Sequence, residues 1–171
     1  MRFSKLPALI LLCCALCACS RNATLKGRVF LVTEGGEPRG ARLATVYLLD
    51  STALPDTGTV ASLRKKMDED CPTSTYLSSE VPESVKRSVQ QHYSDDLFQL
   101  MAQFQEHSRM RTQSDADGRF SFEHVPPGSY VITAFSRAGA NLAYWQQPVT
   151  FRTSSEEINL SDPAAACLLT L

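Results

Sequence analysis

The chain has 171 residues, with 17 basic and 18 acidic side chains, a formal net charge of −1 and six cysteines. That length suits one domain carrying an insertion. A near-neutral balance gives no electrostatic footprint for nucleic acid, so that partner class is set aside.

The N-terminus opens with Arg2 and Lys5, continues through an apolar stretch from Leu6 to Leu16 and then reaches small residues, which is the layout of a secretory signal. The sequence turns polar at Ser20-Arg21-Asn22, so the apolar run falls short of the roughly 20 residues that a membrane span needs. Leu16-Cys17-Ala18-Cys19 resembles the lipobox of bacterial lipoproteins, in which leucine and two small residues precede the acylated cysteine. Cysteine at the second position departs from the usual alanine or serine, but it is also small. The resemblance implies cleavage after Ala18 and a palmitate-type lipid on Cys19, with residues 19–24 as a short linker. Ser20, in place of the aspartate that favours retention, implies the outer membrane, facing the periplasm. Ordinary cleavage without lipid is the alternative. Each buried acyl methylene contributes about 0.8 kcal/mol, and anchoring becomes stable only with more than one chain. The sequon-like Asn22-Ala23-Thr24 is a chance match beside such a signal.

Removing 18 residues from 171 leaves 153, with 15 basic and 18 acidic side chains and a net charge of −3. With Cys13, Cys14 and Cys17 gone and Cys19 lipidated, only Cys71 and Cys167 remain. An oxidising periplasm would let them form a disulfide, although two buried free thiols would leave the same sequence signature.

Leu25, Val29 and Leu31 alternate on one face of a first strand, followed by the loop from Glu34 to Gly40 and a second strand from Arg42 to Leu49. The stretch from about 51 to 111 breaks this pattern. Val81, Val85, Val89, Tyr93 and Leu97, then Leu100, Met101 and Phe104, recur at helical spacing and predict one or two amphipathic helices from near Pro82. Glu83 and Arg87 can pair at i,i+4, Ser94-Asp95-Asp96 can restart a helix, and Arg109 and Arg111 fall near the end, where positive charge suits the helix dipole. This insertion is expected to cover a face of the sheet, with docking of a partner helix as the sharper alternative.

Beyond it, Asp117-Gly118 signals a hairpin turn, and Arg119 to Glu123 alternate with Phe120 and Phe122 directed to a core. Pro126-Pro127-Gly128 reverses the chain into Tyr130 to Phe135, apolar on both faces and therefore central. Ala143 to Phe151 follows, where Pro148 argues for an edge or bulge, and a short strand lies around Ile158 to Leu160. Short strands between turn signals predict a mainly β fold, an Ig-like antiparallel sandwich with an inserted helical segment.

The run from Ser114 through Asp117-Gly118-Arg119-Phe120-Ser121-Phe122 to Pro126-Pro127-Gly128-Ser129-Tyr130 closely resembles the carboxypeptidase regulatory-like domain, a transthyretin-like β-sandwich, and so implies the prealbumin-like form of the sandwich. The Leu25 to Val29 strand and the Pro38-Arg39-Gly40-Ala41 loop are similar to that family's opening. The resemblance implies one such domain over 25–171 and an accessory role, since these domains sit beside peptidases, on transporters and on surface proteins and are generally not catalytic. The enzymatic relatives that hydrolyse hydroxyisourate end in Tyr-Arg-Gly-Ser, whereas this chain ends Cys167-Leu168-Leu169-Thr170-Leu171.

Other chemistry does not assemble. Asp115 and Asp117 invite a calcium reading, but the loop puts Gln113 and His124 where the first and twelfth ligands belong. Gly35 and Gly40 have phosphate-loop spacing, yet Ala41-Arg42 replace the required Lys and Ser or Thr. His92, His107 and His124 are isolated, with no zinc spacing. No cofactor, metal or catalytic residue is assigned. Tyr144-Trp145 remain as candidate ligand contacts if exposed, beside Gln146 and Gln147, although a core role is the default for such a tryptophan. The expectation is a membrane-anchored, non-enzymatic envelope lipoprotein with a protein partner. A carbohydrate-binding module using those aromatics is the alternative, and a hydrolase with an unfamiliar site the second.

Overall fold

The computed structural model describes residues 23–32, 37–70, 82–138, 141–152, 157–161 and 165–168. In chain order these form β1 (Ala23–Val32), β2 (Pro38–Gly40), β3 (Thr45–Asp50), α1 (Thr57–Asp70), α2 (Glu83–His107), β4 (Met110–Gln113), β5 (Arg119–Val125), β6 (Gly128–Ala138), β7 (Asn141–Phe151), β8 (Glu157–Leu160) and β9 (Ala165–Leu168). One sheet runs β2-β1-β5 with β8 also on β1, and the other runs β4-β3-β6-β7-β9. This is the mainly β sandwich with a helical insertion that the sequence predicts. One pair departs from the antiparallel expectation, because β8 runs parallel to β1.

Period-two alternation supplies the core between the sheets. Leu25, Val29 and Leu31 of β1, Phe120 and Phe122 of β5, and Ile158 and Leu160 of β8 meet Val46, Leu48, Ile132, Ala134 and Trp145 from the larger sheet. Gly27 takes an inward position between Leu25 and Val29, opposite Phe120 in the β1–β5 register. The Phe120 ring fills that space, so a Cβ on residue 27 would fall 2.4 Å from it. Phe120 also meets Phe122 edge-on at 5.8 Å, a contact worth about 0.5–1.5 kcal/mol beyond its burial.

The helices occupy the connection between β3 and β4, which remain antiparallel neighbours. Such an insertion costs little, because loop-closure entropy grows slowly with length. Tyr93, Leu97, Leu100 and Phe104 of α2, with Met67 of α1, close over Tyr47, Leu49, Phe135, Leu142 and Tyr144 on the outer face of the larger sheet. The insertion therefore covers a sheet face, as expected. It also explains why β6, between β3 and β7, is apolar on both faces.

Helix α1 was not predicted, because its stripe is only Val60, Leu63 and Met67. Its start is fixed by Asp56, whose Oδ2 accepts from the Thr59 amide at 2.7 Å and the Thr59 hydroxyl at 2.9 Å. Those two bonds hold the Asp56 carboxyl below its ordinary range. A lowered folded-state value means that the cap stabilises at neutral pH and is lost as pH falls through that value. Asp56→Ala should therefore lower the melting temperature at pH 7, and the gap from wild type should shrink in acid. Asp56→Asn, which keeps a side-chain acceptor, should recover part of the loss without that pH dependence.

Helix α2 runs unbroken through Ser94-Asp95-Asp96, so no second start occurs there. Glu83 pairs with Lys86 at 3.0 Å in place of Arg87. Pro82 caps the helix, and Ser108, in extended conformation, ends it. Arg109 then bonds Asp50 at 3.2 Å, and Arg111 lies in β4 with its guanidinium 5.8 Å from the Tyr47 ring. Neither arginine serves the last helical turn. β2, β4 and β9 are further strands that the sequence reading did not place.

The Asp117-Gly118 turn joins strands of different sheets, so it is a corner and not a hairpin within one sheet. Gly118 has φ 79°, and a Cβ there would lie 2.1 Å from the Val29 carbonyl oxygen. Gly118→Ala should thus lose about 1–3 kcal/mol in urea unfolding, and unchanged stability would contradict this packing.

Candidate functional site: a polar cleft on the uncovered sheet

The larger sheet has helices on its outer face, whereas the smaller sheet presents polar side chains. Lys26 is register partner both to Glu157 on β8 and to Ser121 on β5. Because these strands lie about 4.8 Å apart, the outer face carries a carboxylate, an ammonium and a hydroxyl in one row. Arg28 forms the next, between Asn159 and Arg119. A cleft of about 570 Å³ opens over this grid, lined by Lys26, Arg119, Ser121 and Glu157 and walled by Thr112, Gln113, Ser114 and Asp115.

The wall is held by its own hydrogen bonds. Asp115 Oδ1 accepts from the amides of Asp117 at 2.9 Å and Arg119 at 2.8 Å, which commits that carboxylate to the turn. Asp117 pairs with Arg119 at 2.6 Å, and its carbonyl accepts from Arg28 Nε at 2.9 Å. Buried Ser114 donates to the Ala41 carbonyl and accepts from the Ala44 amide. These bonds pack the Asp115–Gly118 turn against the 40–44 segment, so the two motif blocks far apart in sequence meet in space. Lys26, Ser121, Glu157 and Asn159 are left to face solvent.

The histidines lie elsewhere. His92 is exposed on α2, His107 Nδ1 is 2.8 Å from the Gln103 carbonyl oxygen, and His124 sits in left-handed backbone (φ 59°) where the β1–β5 register shifts. Among the described residues, no group of three His, Cys, Asp or Glu side chains could hold a metal, and no helix is long and apolar enough to cross a membrane.

The candidate role of Tyr144 and Trp145 as ligand contacts, conditional on exposure, is corrected, and the default core role holds. Tyr144 and Trp145 both have 0% exposure. Adjacent strand residues point to opposite faces, and β7 is covered on both: Trp145 enters the sandwich core while Tyr144 packs under the helices. The Tyr144 ring lies 5.1 Å from Phe135 and 5.7 Å from Phe104, and its hydroxyl donates to Gln146. Burial pushes its phenol well above the ordinary value, with Arg64 opposing. Neither ring offers a face to a sugar. Among the described residues, Pro148 lies where β7 has no second neighbour, because β9 pairs there only with Asn141 to Tyr144. Cys19 and Cys71 fall outside the described residues, and Cys167 is described only as backbone within β9, so lipidation and the disulfide lie outside what the structure describes.

Sequence reasoning missed the Glu157–Lys26–Ser121 row. Alternation in β1 and β5 placed Lys26 and Ser121 outward, but only the parallel β1–β8 pairing brings Glu157 beside them.

No protein-family model matches the sequence, and no curated protein matches it. Among solved structures the chain is similar to a Pseudomonas aeruginosa protein to which carbohydrate binding is provisionally ascribed, at 15% identity and a TM-score of 0.44, over 91% of this chain and 99% of that one. It is also similar to a minor pilin of Streptococcus agalactiae, at 8% identity and a TM-score of 0.44, over 82% of this chain and 44% of the pilin. The pilus backbone protein RrgB of Streptococcus pneumoniae gives 11% identity and a TM-score of 0.34, over 81% of this chain and 41% of that one. Likeness at this level carries no assignment of ligand or activity.

Proposed function

We propose that the chain is a lipid-anchored envelope protein whose β-sandwich is a non-enzymatic interaction module, with Cys19 as its anchor and the polar cleft as its contact surface for an envelope protein. The observation that carries the binding role is the Glu157–Lys26–Ser121 row, because fixed charges of both signs on a sheet select a partner by complementarity. The resemblance to carboxypeptidase regulatory-like domains, an accessory family, supports the same role.

The lipobox-like segment supports the anchor and sets a geometric bound. Cys19 precedes Lys26 by seven residues, which reach at most about 25 Å when extended. A partner of the cleft would then lie close to the bilayer. The burial of Tyr144 and Trp145 removes the aromatic platform on which the carbohydrate reading relied.

Labelled palmitate should enter the wild-type chain and be absent from Cys19→Ala. Retention of label by that variant would overturn the anchor. For the surface, Lys26→Glu should retain the fold and reduce recovery of a co-purifying envelope protein about tenfold, a loss of ~1.4 kcal/mol. Undiminished recovery would move the contact away from the cleft.

A further inference from the structure

A different face of the molecule, independent of the cleft, combines features that the sandwich does not require. Leu43 has a left-handed backbone (φ 56°) and is 60% exposed. That conformation costs a non-glycine residue about 1–2 kcal/mol. Phe98, on the solvent side of α2, is 40% exposed, although its neighbour Leu97 is fully packed. These two residues, with Met101, Phe135 and Arg137, wall a notch of about 150 Å³. The Arg137 guanidinium stands 4.0 Å from the Phe98 ring centroid, within cation–π range. Among the described residues neither Arg137 nor Arg42, the neighbour of Leu43, has a carboxylate partner.

We propose that this notch is a docking site for a peptide segment in which a large apolar side chain is flanked by carboxylates. The apolar side chain enters between Leu43 and Phe98, where there is room for one such group. A carboxylate meets the forked donors of Arg137, a charge-assisted geometry, and Arg42, next in sequence to Leu43, adds a second positive charge to the same turn. Charge complementarity selects an acidic segment over a basic one. A lipid surface does not suit the position. β1 begins at Ala23, at the end nearest Cys19, whereas the turn carrying Leu43 follows Gly40, which pairs with Phe30 near the far end of β1.

The test uses the full chain and a fluorescein-labelled peptide alternating leucine and glutamate, followed by fluorescence anisotropy. A leucine–lysine peptide and a serine–glutamate peptide serve as controls. Only the leucine–glutamate peptide should saturate, and Arg137→Gln should weaken it about tenfold. Leu43→Gly is the discriminating variant, because glycine relieves the left-handed strain. It should keep or raise the melting temperature while weakening the peptide about fivefold through lost apolar contact. Equal binding of the basic peptide would overturn the proposal. Unchanged affinity in Leu43→Gly would also overturn it, as would self-association abolished by Phe98→Ser without any peptide binding, which would make a second copy the occupant.

Discussion

Trp145→Ala is expected to cost about 3–5 kcal/mol, a large share of the roughly 5–15 kcal/mol that holds a domain folded. Trp145 is fully buried between the sheets, in a cluster with Ile132, Ala134 and Phe151. Its removal leaves a cavity that strands fixed by their hydrogen bonds cannot close. Among the described residues its indole Nε1 has no hydrogen-bond partner, so Trp145→Phe, which deletes that polar atom and keeps much of the ring, should cost far less. Because Trp145 is the chain's single tryptophan, the same experiment has an optical control. Native emission should be blue-shifted and resist acrylamide quenching, then shift red on unfolding. A Trp145→Ala protein of normal stability, or ready quenching of the native protein, would contradict this burial and return the alternative of a surface role.

The second large effect concerns the contact between the two helices. Lys66 on α1 donates to Asp96 on α2 at 2.5 Å. The Asp96 side chain is 1% exposed and the Lys66 side chain 56%. Among the described residues, the buried Asp96 Oδ2 and the Tyr93 hydroxyl have no hydrogen-bond partner. Burial, with Asp68 adding to it, pushes the Tyr93 phenol well above its ordinary value. Lys66→Met should strand a carboxylate inside the helix pair. Breaking a fully buried pair costs about 3–5 kcal/mol, and because water already screens Lys66 the loss here should be about 2 kcal/mol. Adding Asp96→Leu to Lys66→Met should recover most of it, because an apolar pair removes the desolvation cost as well as the attraction. Urea unfolding of the two single variants and the double variant measures this. A double variant as unstable as the sum of the singles would show that the pair does not couple the helices.

Much of the architecture was legible because alternation survives wherever one face of a strand is buried. Leu25, Val29, Phe120 and Phe122 announce their strands, and the double-sided apolarity of β6 announces its central place. Tyr93, Leu97, Leu100 and Phe104 gave α2 by spacing alone, whereas α1, with three apolar contacts and an aspartate cap, carried too little pattern. β2, β4 and β9 span only three or four residues each, too short for alternation to show. Whether Tyr144 and Trp145 face solvent stayed open in the sequence for a related reason, and the core role that is the default for such a tryptophan is the one found. A strand covered on both faces buries neighbouring residues alike, and the covering comes from helices far away in the chain. The cleft was least legible, because Glu157 reaches Lys26 through a parallel pairing that no local turn announces.

Photo-crosslinking in intact cells tests the interaction role most directly. A photoreactive side chain at Ser121, in the Lys26 row, should yield a discrete higher-mass adduct with one envelope protein. The adduct should weaken when Lys26→Glu is added, while the same probe at Ala102, exposed on α2, yields none of it. Equal adducts from both positions, or an adduct at Ser121 indifferent to Lys26→Glu, would contradict a binding role for the cleft.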